Sequence, residues 1–227
     1  MAPPHAHRCL SRAVLGVVVG LLALTGWVGT AVGADSSSGQ GKAYLHEGLQ
    51  AFRKGRLPEA AQAFERATTV EPTNPIAFNN LGLVYMQLGR KRDAITAFEE
   101  AVDLRPTSAV FHYNLARACH LAKNYPRAIE HYQKTVALKP AHALAHAYLG
   151  QLYGREQQRY PEAIEEFKKA IDLDASNGET HYSLAVAYFS VKNFSEAWRS
   201  VKEAERLGYK VNPAFLKALR QMAPEPQ

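Results

Sequence analysis

From about residue 41 onward, apolar positions recur with a helical spacing that is repeatedly broken and restarted. Phe78, Leu81, Gly82 and Tyr85 stand at i, i+3, i+4 and i+7, one face of an amphipathic helix. Gly89 closes that helix, Asp93 to Val102 make a second one with Ala94, Phe98 and Ala101 inward, and Pro106 stops it. The small residues Gly82 and Ala94 allow close approach of the two helices, with Phe98 and Tyr85 filling the space around them. A helical hairpin of this kind cannot bury both faces alone, so each must lean on a neighbour.

The hairpin repeats. Stepping 34 residues back from Ala94, Phe98 and Ala101 gives Ala60, Phe64 and Ala67; stepping forward gives Ala128, Tyr132 and Thr135. Pro72, Pro106 and Pro140 keep the same period, then one extra residue near Gln157 shifts the next set to Ala163, Phe167 and Ala170. Ala197, Val201 and Ala204 follow 34 residues later. Such self-similarity marks a solenoid. Five units are expected, at 41–74, 75–108, 109–142, 143–177 and 178–211. Asn212–Pro213 is a helix-start signature, so residues 212–227 are expected to form a short capping helix and tail over the last apolar face.

The run Phe78, Leu81, Gly82, Tyr85, Ala94, Phe98, Ala101, Pro106 resembles a complete tetratricopeptide repeat, with Phe in the Trp place. The first unit carries Tyr44, Gly48, Ala60, Phe64, Ala67 and Pro72, and the fourth Leu149, Gly150, Tyr153, Ala163, Phe167 and Ala170. The third departs at His112, Ala116 and Cys119, and the fifth at Val201 and Tyr209. The resemblance implies an all-α, right-handed α-solenoid of five helix-turn-helix repeats plus a C-terminal capping helix. It also implies a concave surface, lined by the first helices, that holds peptides.

Ahead of the repeats, His5, Arg8 and Arg12 precede an uncharged stretch from Ala13 to Ala34 that ends in Val32-Gly33-Ala34. These are the flanks of a secretory signal cleaved after Ala34, with residues 35–40 as a flexible spacer. The alternative is an uncleaved membrane anchor, since the uncharged run is long enough to span a bilayer. Either way the positive-inside rule keeps Arg8 and Arg12 cytoplasmic and puts the repeats on the other side. The expected location is periplasmic or secreted in a bacterium, or anchored in the inner membrane with the repeats outside the cytoplasm.

Charge changes this picture little. Arg8 and Arg12, and no acid, precede residue 35, so removing that segment lowers the net charge from +6 to +4. That excess does not make the dense basic stripe nucleic acid requires. The second helices carry acidic outer positions, among them Glu65, Glu99, Glu130 and Glu165, consistent with a solvated face and pairs such as Glu165–Lys169. Cys119 is the one cysteine beyond the N-terminal segment, at a core position where an inert thiol is expected.

The first helices carry the functional expectation. In the second repeat, the face opposite Leu81 and Tyr85 presents Ile76, Asn79, Asn80, Leu83, Met86 and Gln87, with no charge, where a face meeting only water would be charged. The same offsets add Lys42 and Arg53 from the first unit and Tyr113, Asn114 and Arg117 from the third. Tyr148, Gln151 and Arg155 come from the fourth, and Glu179, Tyr182 and Phe189 from the fifth. Asn80 and Asn114 share one offset, which predicts amides about 8–10 Å apart on adjacent helices, able to donate to and accept from a peptide backbone. This is similar to the asparagine ladder of peptide-binding repeats, although His46, Tyr148 and Ser183 leave it only two rungs. The alternative is that these asparagines bond to neighbouring helices. Leu45 and Leu49 stand where the carboxylate-clamp subfamily has Lys and Asn.

His112, His146 and His181 share one offset, and His142 with His146 forms an i,i+4 pair. Three rings on successive helices cannot converge on one ion at about 2.0–2.1 Å, so these histidines are expected between helices rather than on a metal. No cofactor is expected, and no phosphate loop, G-x-S-x-G or H-E-x-x-H stretch supports an enzyme. The expectation is an adaptor binding protein or peptide segments, acidic or with aromatic and apolar anchors, through the concave groove. A structural subunit that stacks on copies of itself or on a larger envelope, pilus or secretion assembly is the alternative, and a metal-dependent role through the histidines is a third reading, which would require bound metal in the purified protein.

Overall fold

The computed structural model describes residues 32–225. Among them the secondary structure is helical throughout, with five antiparallel pairs and a final single helix. The pairs are α1 (Val32–Arg53) with α2 (Leu57–Val70), α3 (Pro75–Gln87) with α4 (Lys91–Leu104), and α5 (Ala109–Leu121) with α6 (Tyr125–Leu138). Then come α7 (Ala143–Gln157) with α8 (Tyr160–Leu173), α9 (Gly178–Ser190) with α10 (Phe194–Arg206), and α11 (Pro213–Met222) alone. Each second helix packs on the first helix of the next pair, and direct contacts also join α3 to α5 and α7 to α9, which places the first helices on the inner side of the stack. This is the expected all-α solenoid.

Within a pair, a glycine sets the helix separation. A Cβ added to Gly48 or Gly82 would lie 2.6 Å from the ring of Phe64 or Phe98, and one on Gly150 would lie 2.7 Å from Phe167. Real carbon atoms do not approach so closely, so the ring occupies the space the missing methyl leaves. Where an alanine stands at this offset, the facing residue changes. Ala185 faces Val201, and in the third repeat Ala116 is matched by Tyr132, whose ring stacks on Tyr148 with centroids 5.4 Å apart.

A second contact recurs between pairs. The Tyr85 hydroxyl donates to Glu65 of the preceding second helix at 2.7 Å, and burial together with that carboxylate pushes its pKa up to about 12. Gln133 donates to the Tyr153 hydroxyl at the same offset, and Lys168 reaches Tyr188. In the third repeat Cys119 replaces the tyrosine, and Glu99 pairs with Arg127 instead. Cys119 is fully buried and its thiol pKa is raised by burial, as an inert core residue requires.

The turns explain the broken period. In four repeats the backbone N–H five residues on returns to the carbonyl of the first helix's last turn, as Arg90 does to Tyr85 at 2.9 Å. In the fourth, Arg159 reaches Tyr153 across one more residue; α7 is correspondingly 15 residues long, and Gln158 takes the left-handed conformation. At the far end α11 closes the stack: Leu219 is fully buried, and the Trp198 indole donates to the Ala223 carbonyl at 3.2 Å.

Two expectations at the N-terminus meet different outcomes. The segment expected as a flexible spacer, 35–40, is helical and belongs to α1, so that expectation is corrected: the helix continues upstream of Gly41, the first residue packed on Glu71. The expected signal or anchor lies outside the described residues except for 32–34. Among the described residues no helix is long and apolar enough to cross a membrane.

Gly82→Leu should therefore lower the free energy of unfolding by about 1–3 kcal/mol or more by overpacking against Phe98, measured by urea denaturation. Gly154→Ala is its control. Its Cβ would meet nothing closer than Ala163 at 3.6 Å, so a gain of about 0.5–1 kcal/mol is expected from reduced backbone freedom in the unfolded chain.

Candidate functional groove

The expected groove residues separate into three groups. Asn79 and Asn114 are buried and bonded to each other, Asn114 Nδ2 donating to Asn79 Oδ1 at 2.8 Å. Asn114 therefore turns toward α3, and the expected two-rung ladder with Asn80 is not formed; buried amides bond wherever a partner is nearest. Asn80 stays half-buried and Gln87 exposed on the same face.

The second group is an aromatic cluster over the third and fourth repeats. Tyr113 lies 4.5 Å from the ring of His142 and 6.5 Å from Tyr148, and the exposed Arg117 guanidinium stands 5.8 Å over the Tyr113 ring. His120 meets Tyr148 edge-on at 5.7 Å. Burial raises the Tyr113 pKa and lowers that of His120, so both rings are neutral near pH 7. Beneath them the Tyr132 hydroxyl is buried with no hydrogen-bond partner.

The third group surrounds a cavity of about 570 Å³ between α7 and α9, lined in part by Gln151, Arg155 and Tyr182. Gly154, Gln158, Tyr160, Ser183 and Tyr209 also line it and were not anticipated from the sequence. Two signals pointed there: the extra residue before Arg159, and a glycine at an offset that elsewhere carries Phe52, Met86, His120 and Phe189. Tyr182 stacks on Tyr209 at 5.3 Å, and Phe189 is covered by the capping helix through Phe215 at 5.5 Å, which removes it from the open surface. Arg117 and Arg155 are exposed and make no ion pair among the described residues, like Arg53, Arg56, Arg66, Arg92 and Arg105, whereas Arg90, Arg127, Arg159, Arg199, Arg206 and Arg220 each have an acidic partner. The expected Glu165–Lys169 pair is replaced by Lys169–Glu166 at 2.8 Å.

The repeated histidines hold the chain together. Nε2 of His112, His146 and His181 faces the carbonyl six residues upstream, on Pro106, Pro140 and Ala175, at 2.9, 2.9 and 3.2 Å. A carbonyl only accepts, so the proton is on Nε2. The opposite nitrogen of His112 then accepts from His131 Nδ1 at 3.0 Å, while His146 Nδ1 meets Glu166 at 2.6 Å. In the second repeat the corresponding pair is Phe78 and Ala97. His142 is an N-cap that accepts from the Ala145 N–H. Among the described residues no group of three or more potential ligands could hold a metal ion.

The arrangement is that of a helical repeat protein with a polar and aromatic inner surface. Family models described as tetratricopeptide repeat match residues 45–109 and 79–143, and one described as TPR repeat matches 154–191; together they span more than half of the chain, which belongs to the tetratricopeptide-repeat family. Among solved structures, a crystal structure of MamA is similar at 27% identity and a TM-score of 0.70, over 75% of this chain and 92% of that one. MamA from Desulfovibrio magneticus RS-1, from residue 41 to its end, is similar at 26% identity and a TM-score of 0.69, over 74% and 95%. YrrB, described as a TPR protein with an unusual peptide-binding site, shares the fold at 18% identity and a TM-score of 0.69, over 82% and 94%. No curated protein matches in sequence.

Acid should weaken the fold through His131. Burial, with His112, Lys134 and Arg127 nearby and against the pull of Glu130, lowers its pKa to about 4 from 6.5. The neutral form is thus favoured by folding, and its stabilisation is complete above about pH 6.5 and lost as pH falls toward 4. The double substitution His112→Phe with His131→Ala copies the second repeat, and should shrink the drop in melting temperature between pH 7 and pH 4.5.

Proposed function

We propose that this protein is a non-catalytic adaptor that holds protein or peptide segments in its concave groove, outside the cytoplasm of a bacterial cell. The observation that carries the reading is the pairing of unneutralised cations with rings and an open cavity on one face. Arg117 stands over the Tyr113 ring and Arg155 lines the cavity with Tyr182, both exposed on the inner face with no ion pair among the described residues. Such a face suits a segment that carries apolar anchors and acidic residues, with Asn80, Gln87 and Gln151 available to its backbone. Buried contacts such as Asn114–Asn79 preorganise the inner wall, which lowers the ordering cost of binding. The uncharged stretch from Ala13 to Ala34 supports export, by cleavage or as an anchor.

A second reading, a structural subunit that associates with copies of itself or with a larger assembly, is favoured by a different feature. Exposed apolar residues recur along the turn edge, with Ile76, Val110 and Leu144 opening first helices and Leu104, Leu138 and Leu173 ending second ones. In crosslinked envelope fractions, Asn80→Ala with Arg117→Glu and Arg155→Glu should abolish capture of the partner held by the native chain. Equal capture by both forms, together with concentration-dependent sedimentation unchanged by the substitutions, would transfer the function to the edge and ends.

A further inference from the structure

Between the third and fourth repeats, the space separating first helices is filled by His120, in the last turn of α5, set edge-on against Tyr148 of α7 at 5.7 Å. One repeat later the same two offsets are Gly154 and Ser183, and both line the cavity of about 570 Å³. The side chains at the Gly154 offset in the first, second and fifth repeats, Phe52, Met86 and Phe189, all pack against the core. The fourth repeat alone leaves this place unfilled among the described residues, and the nearest atoms to a Cβ there are 3.6 and 4.0 Å away.

We propose that this cavity binds the aromatic side chain of a peptide segment, which takes the place of the missing histidine–tyrosine pair, with a neighbouring acidic residue of that segment held by Arg155. This rests on the groove reading and adds the position and chemistry of the anchor. An aromatic occupant suits the walls. Phe167 and the stacked pair Tyr182–Tyr209 offer ring surfaces. Gln151 and Gln158 supply amides at the rim for the segment's backbone. Arg155 carries an exposed charge with no ion pair among the described residues, while Arg159, four residues on, is occupied by Glu162 at 3.0 Å. Glu179 lies on the opposite wall, in the first turn of α9, and confines the acidic residue to the Arg155 side.

The test uses amide chemical shifts of the full-length, 15N-labelled chain with three blocked dipeptides: N-acetyl-Asp-Tyr-amide, N-acetyl-Asp-Ala-amide and N-acetyl-Lys-Tyr-amide. The first should shift Gly150, Gly154 and Ser183 and bind about tenfold or more tightly than the second, the difference expected from burying one aromatic ring. It should also bind more tightly than the third, by a margin that shrinks in Arg155→Ala. The double substitution Gly154→His with Ser183→Tyr rebuilds the preceding repeat's filling and should remove the shifts while the melting temperature is kept; Gly154→Leu alone should weaken binding in the same direction if the double variant is unstable. Equal binding of the Tyr and Ala probes, or undiminished binding by the filled variants, would overturn the proposal. Shifts confined to Tyr113, Arg117 and Tyr148 would overturn the cavity and leave the groove reading standing; shifts nowhere on the inner face would count against both.

Discussion

The close contact between a bare helix backbone and an aromatic ring sets the geometry of this solenoid. Gly48, Gly82 and Gly150 let Phe64, Phe98 and Phe167 lie against the facing helix at distances no side chain would permit. Packing at that density transmits small changes, because the surrounding atoms cannot relax freely. When Ala116 adds a methyl, the ring it faces becomes a tyrosine stacked on the next repeat, and with Ala185 it becomes a valine. Each repeat thus has its own version of one contact between its two helices.

Polar residues are distributed by the same logic. The histidines bind carbonyls six residues upstream and so tie α5, α7 and α9 to the turns before them. In His112 and His146 the second nitrogen needs a partner once the first is used, and the chain supplies His131 and Glu166 where the second repeat has only Ala97 facing Phe78. A buried donor or acceptor without a partner costs about 1–3 kcal/mol, which is why the substitutions come in matched pairs. The Tyr132 hydroxyl is the exception among the described residues. It lies under the aromatic cluster of the inner face.

One inserted residue and one glycine distinguish the fourth repeat. The longer turn ends α7 two residues later than in its neighbours, and Gly154 withholds the side chain that elsewhere fills the gap. A regular array would present the same small surface at every step. Departure from the repeat makes one step a cavity of about 570 Å³, and Arg155 in the last turn of α7 gives that cavity a charge.

The helix pairs, their period, the capping helix and the inward positions of Gly82, Phe98 and Tyr85 were legible from residue spacing alone, because helical periodicity and close packing are local consequences of side-chain size and polarity. The inner face was legible as a set of offsets, of which Gln151, Arg155 and Tyr182 line one cavity. Tertiary structure decided which way each side chain turned. It joined Asn114 to Asn79 rather than to a ladder with Asn80, covered Phe189 with Phe215, and drew 35–40 into α1. These outcomes depend on the nearest partner in space, across 35 residues for the asparagines, and residue spacing carries no record of that distance. The cavity is the clearest case: a missing side chain reads in sequence as a tolerated glycine, and becomes an opening only when two neighbouring helices fail to close over it.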